Sequence, residues 1–300
     1  MLTQTIQLWN DRDDARVECY ILRDSPEFRT GARRPAVVVC PGGAYLGTSD
    51  REAEPVALRF AAAGYHAFVL RYTTYFREWP SDWQHAPGNE RSVFPQPLLE
   101  LAKTVAHIRR HADEWLVDPD RIAVAGFSAG GHLAASLGVH WHEPFLKEHL
   151  GEDNERFKPN ALILGYPVLD YLLMRDELKR EPNEGHQTLF RVSNKAVFGT
   201  PEPDENRLAE RSPALHVSGR TPPVFIWHTA DDELVYARNA LHFALACAKQ
   251  NVPYELHIFA NGVHGLSLCD ETTAANADQI NPEAAVWFQL ALNWLKKQLA

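Results

Sequence analysis

Cysteine is scarce in this chain: four in 300 residues, at Cys19, Cys40, Cys247 and Cys269, with no C-x-x-C pair among them. That spacing excludes the paired ligands of a zinc ribbon and offers no disulfide framework. Free, buried thiols in a reducing compartment are the expected state. Long apolar runs are also missing. Ala36 to Cys40 and Ala161 to Leu164 are among the longest, far below the roughly 20 residues that a membrane-spanning helix needs. The opening MLTQTIQLWNDRDDARVECY has no basic start, apolar middle or cleavage site. The expectation is a cytoplasmic protein without a membrane partner. A basic stripe is absent as well. Thirty Lys and Arg against 39 Asp and Glu leave a net charge of −9, and no face gathers the positive charge that phosphates require, so nucleic acid is not an expected partner. Neither an internal repeat nor a low-complexity tract interrupts the chain.

What remains is a globular composition, 45% hydrophobic and 23% charged, sufficient for a sizeable core. Short β-branched runs alternate with longer segments of helical period, the pattern of a mostly parallel sheet flanked by helices. Strands are expected at Thr5–Trp9, Val17–Leu22, Ala36–Cys40, His66–Tyr72, Arg121–Ala125, Ala161–Gly165, Val224–His228 and Glu255–Phe259. The first two, separated only by a polar turn, should pair antiparallel, with helices connecting the rest. Leu98, Leu101, Ala102, Val105, Ile108, Ala112 and Trp115 recur at threes and fours, as a core-facing helix does. Similar stripes occupy Pro55–Ala63, Ala237–Lys249 and Pro282–Leu299. Two excursions, residues 73–97 and 171–220, break this rhythm and read as lid or site-lining loops. With no linker between two self-sufficient halves, residues 1–300 are expected to form a single domain.

The strand-like Arg121-Ile-Ala-Val-Ala125 runs directly into Gly126-Phe127-Ser128-Ala129-Gly130, followed by a helical segment. This is G-x-S-x-G in the strand–turn–helix context that exposes a nucleophilic serine, with glycines where side chains would collide. The helix N-terminus behind Ser128 favours developing negative charge. A serine hydroxyl is a weak nucleophile, so a histidine base and an orienting carboxylate are expected downstream, in the order Ser, Asp, His. The strand ending at His228 is followed by Asp231, Asp232 and Glu233, an acidic cluster where α/β sheets carry functional groups. The next strand leads to Ala260-Asn-Gly-Val-His264-Gly265, and His264 is the one of fourteen histidines whose loop context suits the base. His132, one turn beyond Ser128, reads as helix packing. For an oxyanion hole, the turn Pro41-Gly42-Gly43-Ala44 after the third strand can aim bare N–H groups, and the N–H of Ala129 is the expected second donor. Tyr45, Trp79 and Trp83 are candidate walls of the substrate site.

Taken together, CPGGAYLGTSDREAEPVALRF, DPDRIAVAGFSAGGHLAASL, PVFIWHTADDELV and HIFANGVHGLSL resemble the bacterial acetyl esterase and acetylxylan esterase branch of the α/β-hydrolases, related to the hormone-sensitive-lipase-like esterases. The resemblance runs from Val37 to Leu295. It implies an α/β-hydrolase fold with an eight-stranded sheet and a triad acid four residues after the histidine of an H-G-x-x-D-x-x-V stretch. Here that selects Asp232, with Thr229 in place of the glycine. Pro41-Gly42-Gly43-Ala44 stands where lipase-like relatives have His-Gly-Gly-Gly, so the oxyanion donor is Gly43 or its neighbours Gly42 and Ala44. The resemblance further implies a small-molecule ester substrate with a short acyl group, often acetyl on a sugar or xylo-oligosaccharide, and no metal or organic cofactor. A serine peptidase of the same fold and an inactive binding protein are the rival readings.

Overall fold

The structure, a computed structural model, describes residues 1–27, 30–180 and 182–300. Residue 181, inside the second excursion, lies outside the described residues. Eight strands are present among them: β1 Leu2–Gln7, β2 Arg16–Ile21, β3 Arg34–Cys40, β4 His66–Arg71, β5 Val117–Phe127, β6 Ala161–Gly165, β7 Val224–Thr229 and β8 Tyr254–Phe259. They form one sheet in the order β1-β2-β4-β3-β5-β6-β7-β8. β1 pairs antiparallel with β2, and β2 antiparallel with β4; every other pairing is parallel.

The central strands are buried along their whole length, and their near-continuous apolar runs are what burial on both faces requires. Because side chains alternate across the pleat, one strand feeds two cores. Val38 and Val124 pack with the helices Gln96–Arg110, Ala129–His140 and Arg238–Lys249. Val37, Val39, Ala123 and Phe127 face the opposite way, toward Glu54–Ala62 and Trp287–Gln298. No helix among the described residues is long and apolar enough to cross a membrane.

Three expectations change. β1 ends at Gln7 rather than Trp9, because the chain already turns at Leu8, whose N–H donates to Ala15 O at 3.1 Å. Trp9 packs instead against the cations of Arg12 and Lys103 and donates to Glu100. The β2–β3 connection holds no helix among its described residues; since β2 runs opposite to β3, no helical crossover is needed. The excursion 171–220 is helical rather than loop-like, with Tyr171–Leu178, Glu184–Phe198 and Glu205–Glu210. Asp170, Asn183 and Asp204 start these helices by accepting main-chain N–H bonds, so short capped pieces replace one readable stripe.

The turn between β5 and the helix Ala129–His140 is the tightest point in the fold. A Cβ at Gly130 would sit 2.0 Å from the Cys40 carbonyl oxygen, and one at Gly126 2.1 Å from Gly130 O. These neighbours are backbone and cannot rotate away. Gly130→Ala is therefore expected to lower the unfolding free energy by about 1–3 kcal/mol in denaturant titration. Gly219→Ala, where a Cβ meets nothing within 4 Å, should stay within about 0.5 kcal/mol of wild type. Equal stability for the two variants would contradict the close approach at the turn.

Candidate active site

Ser128 occupies the turn itself, with φ 51° and ψ −117°, a conformation that non-glycine residues rarely adopt and that surrounding structure must enforce. Enforcement comes from its N–H, which donates to Gly165 O on β6 at 3.0 Å, and from the two crowded glycines. The side chain is left partly exposed at the C-terminal edge of the sheet. Ser128 Oγ lies 2.9 Å from His264 Nε2, and His264 Nδ1 lies 2.7 Å from Asp232 Oδ2. With Nδ1–H donating to the carboxylate, Nε2 is the acceptor facing the serine hydroxyl.

The two adjacent acids part company. Asp232 is buried, and its second oxygen accepts the N–H groups of Leu234 and Val235, both at 2.9 Å. Asp231 is exposed and accepts Gly262 N–H at 2.6 Å, bracing the loop that carries His264 without touching the ring. Burial alone would raise the Asp232 pKa. The charge and hydrogen bond of His264, the charge of His228 and the Val235 N–H outweigh it, and the carboxyl is held below its ordinary range. For His264, burial would lower the pKa, but the charge and hydrogen bond of Asp232 and the charge of Glu52 raise it above the ordinary imidazole value. His228, buried behind Asp232, is pushed down to about 4, chiefly by burial, and so remains neutral at physiological pH.

The turn after β3 is held peptide by peptide. Gly42 N–H donates to Glu52 Oε2 at 2.7 Å, so it is engaged. Gly42 O accepts Ser49 N–H at 2.9 Å, and Gly43 O accepts the N–H groups of Leu46 and Gly47 at 2.9 and 3.2 Å. In a trans peptide the N–H points opposite its carbonyl, so the Gly43 and Ala44 N–H groups face away from those bonds. Neither has an acceptor among the described residues. The Ala129 N–H belongs to the first turn of its helix and has no intrahelical acceptor.

Beside Ser128 lies an apolar cavity of about 60 Å³, bordered by Ala44 and Ala129 and walled by residues of the second excursion, among them Tyr171, Met174, Leu178 and Phe190. The helix Glu184–Phe198 is tied to the Gly42–Gly43 turn by Ser193 Oγ, which donates to Ala44 O at 2.8 Å. The expected walls lie elsewhere. Tyr45 is fully buried, its hydroxyl 2.7 Å from His132 Nδ1, while His132 Nε2 donates to Arg211 O; both are packing residues. Trp79, about half exposed, sits over Gly47 and against Trp83, at a polar cleft of about 630 Å³ lined by Arg12, Arg71 and Asn89. Residues 73–97 brace the turn from outside, through Tyr75 N–H to Tyr45 O and Phe76 N–H to Leu46 O. Leaving β4, the chain is committed to this main-chain pairing, and that carries the two tryptophans away from the cavity.

Two residues with no sequence signal also meet here. Glu52 is buried, accepting from Gly42 and, through Oε1, from the Tyr166 hydroxyl at 2.6 Å. The Tyr166 ring stands edge-on to His264, with centroids 5.1 Å apart. Only its burial distinguishes Glu52 from the exposed acids Asp50 and Glu54, and no periodicity reports it.

A mostly parallel eight-stranded sheet with a serine on its strand-to-helix turn is the fold of the α/β-hydrolases, and solved structures of that fold cover nearly the whole chain. The carboxylesterase Cest-2923 of Lactobacillus plantarum is 30% identical with a TM-score of 0.80, covering 99% of this chain and 98% of its own. The acetyl ester-xyloside bifunctional hydrolase of Caldicellulosiruptor lactoaceticus is 32% identical with a TM-score of 0.73, covering 98% and 96%. Residues 25–246 match the BD-FAE family model, and the chain belongs to that family. It is 29% identical to endo-1,4-beta-xylanase B of Butyrivibrio fibrisolvens over 80% of its own length and 33% of that protein's. With the acetylxylan esterase of Xylanibacter ruminicola it shares 23% identity over 85% of its own length and 44% of the relative's. The chain thus spans a third to less than half of these two curated relatives.

The arrangement of charges predicts an unusual titration. The ring resonances of His264, followed by NMR, should show a midpoint above about 6.5. Asp232→Asn should lower that midpoint, because the charge that favours the imidazolium is gone, whereas Asp231→Asn should leave it nearly unchanged. Equal shifts in the two variants would contradict the geometry.

Proposed function

We propose that this protein is a serine carboxylesterase that removes short acyl groups, acetyl above all, from small-molecule esters, with acetylated sugars as the substrate class. The single observation that carries this reading is the hydrogen-bonded chain Ser128, His264, Asp232 at the mouth of a small apolar cavity. In the proposed reaction His264 Nε2 takes the Ser128 proton as Oγ attacks the ester carbonyl carbon. The tetrahedral oxyanion accepts hydrogen bonds from the N–H groups of Ala129 and Gly43, with Ala44 adjacent. Its collapse breaks the ester C–O bond, and the imidazolium returns its proton to the departing alcohol. Water, deprotonated by the same imidazole, then attacks the acyl-enzyme and releases the acid. Asp232 holds the ring in the tautomer this needs and stabilises the imidazolium.

Similarity to proteins named acetylxylan esterase and acetyl ester-xyloside hydrolase supports the sugar-acetate class. A narrow apolar cavity walled by Tyr171, Met174 and Leu178 beside Ser128 supports a preference for short acyl groups.

Ser128→Ala tests the reading directly: hydrolysis of p-nitrophenyl acetate should fall at least about a thousandfold with the fold intact, and labelling by a fluorophosphonate probe should vanish. Activity retained above about a thousandth of wild type would remove Ser128 from its role.

Acyl length supplies a second test. Each methylene that overfills the cavity costs about 1–3 kcal/mol, and each 1.4 kcal/mol is tenfold in kcat/KM. Acetate, butyrate and octanoate esters of p-nitrophenol should therefore fall in that order, with octanoate at least about a hundredfold below acetate. Octanoate matching acetate would exclude the short-acyl preference and leave the serine assignment standing.

A further inference from the structure

The hydrogen bonds of Glu52 span two sides of the site. Oε2 accepts the N–H of Gly42 at 2.7 Å, and Oε1 accepts the hydroxyl of Tyr166 at 2.6 Å. The first bond fixes the peptide preceding the one whose N–H belongs to Gly43. Glu52 also donates its own N–H to Ser49 O at 3.3 Å, and Ser49 N–H in turn holds Gly42 O at 2.9 Å. On the other side, the Tyr166 hydroxyl accepts Ser267 N–H at 2.9 Å, and Ser267 Oγ donates to Arg51 O at 2.7 Å. Ser267 lies three residues beyond His264 on the same loop, and the Tyr166 ring walls the imidazole. The short segment Arg51–Glu52 is thus a strut between the turn that presents the Gly43 N–H and the loop that presents His264.

We infer that Glu52 is a positioning residue for acyl transfer, aiming the Gly43 N–H at the oxyanion through Gly42 and holding the His264 loop through Tyr166. The inference rests on the Ser128–His264 reading above. Three features of the site make a purely structural role insufficient. The carboxylate is buried, with 4% of its surface exposed, so two short donated bonds must offset the loss of hydration. A Cβ at Gly42 would lie 2.8 Å from Ser128 Cβ and 2.9 Å from Glu52 Oε2, so the carboxylate and the Ser128 side chain both close on Gly42. The carboxylates that bear on His264 are Asp232 and Glu52; His228 lies on the far side of Asp232, and Arg51 Nη1 reaches the neighbouring Gly265. Glu52 is therefore the second of two carboxylates that bear on the base.

Glu52→Gln and Glu52→Ala are compared with Ser128→Ala on p-nitrophenyl acetate, with the His264 midpoint followed by NMR and folding by thermal melting. In Glu52→Gln the amide oxygen can still accept Gly42 N–H, but its NH2 then faces the Tyr166 hydroxyl, which must accept instead of donate and so loses its bond to a carboxylate. The expected result is a fall in kcat of about tenfold for Glu52→Gln and about a hundredfold for Glu52→Ala, with KM within about threefold of wild type. Loss of the negative charge should also move the His264 midpoint, and the acid limb of kcat/KM, down by about half a pH unit or more. Glu52→Asp should restore the midpoint while recovering kcat only in part. If Glu52→Ala does not fold, Glu52→Gln decides. A Glu52→Gln protein with kcat within threefold of wild type, or with an unmoved His264 midpoint, overturns the inference. Full activity in Ser128→Ala would instead sink the Ser128 reading, an outcome separable because the His264 midpoint is measured without turnover.

Discussion

Parallel strands all end on one side of a sheet, and the candidate site depends on that constraint. Cys40 pairs with Gly126, Phe127 with Gly165, Gly165 with Trp227, and Thr229 with Phe259. The ends of β3, β5 and β6 are therefore level to within a residue, β7 and β8 run two residues further, and the five segments that follow emerge on one side of the sheet. From them come the Gly42–Gly43 turn, Ser128, Tyr166, Asp232 and His264. Shift any one strand by two residues and its contribution would move by about 7 Å, beyond hydrogen-bond reach. The glycines at 126 and 130 serve the same constraint, since they let the helix behind Ser128 approach the β3 carbonyl closely enough for the turns to meet.

Convergence places charge as well as side chains. Asp232 and Glu52 are both buried acids, and each has its oxygens occupied by donated bonds, Asp232 by two N–H groups and an imidazole, Glu52 by one N–H and a phenol. Such full satisfaction is what permits carboxylates in a low-dielectric site. The His264 imidazole is biased toward protonation, while the fully buried imidazoles of His66, His132 and His228 are all pushed down to about 4, chiefly by burial. His264 differs from them in its hydrogen bond to a carboxylate, Asp232 at 2.7 Å, whereas His228 has the same acid only at 4.0 Å.

The cavity has a different origin from the reacting groups. Its walls are helices inserted between β6 and β7, outside the sheet, and they reach Ser128 because Ser193 is bonded to Ala44. The meeting of Ser128, His264 and Asp232 is thus set by the strand ends, and the room beside Ser128 by an insertion outside the sheet.

Local pattern alone carried most of the architecture. The apolar runs of β3, β6 and β7, the stripe from Leu98 to Ile108, and G-x-S-x-G between a strand and a helix each lie within about twenty consecutive residues, where periodicity and turn chemistry are legible. His264 and the Asp231–Asp232 pair were legible for the same reason, as polar groups just past a strand end. Tertiary structure decided the rest. Asp231 and Asp232 are chemically identical neighbours, and only the path of the 262–265 loop determines that one meets Gly262 and the other His264. Trp79 and Trp83 look like site walls by composition, yet main-chain pairing of Tyr75 and Phe76 with the Tyr45–Leu46 segment turns Trp79 to a separate cleft, with Trp83 packed against it. Glu52 is one acid among many until the fold brings Tyr166, 114 residues away in sequence, to its Oε1. Contacts of that separation depend on how strands are ordered and levelled across the sheet, and no spacing within a single segment encodes them.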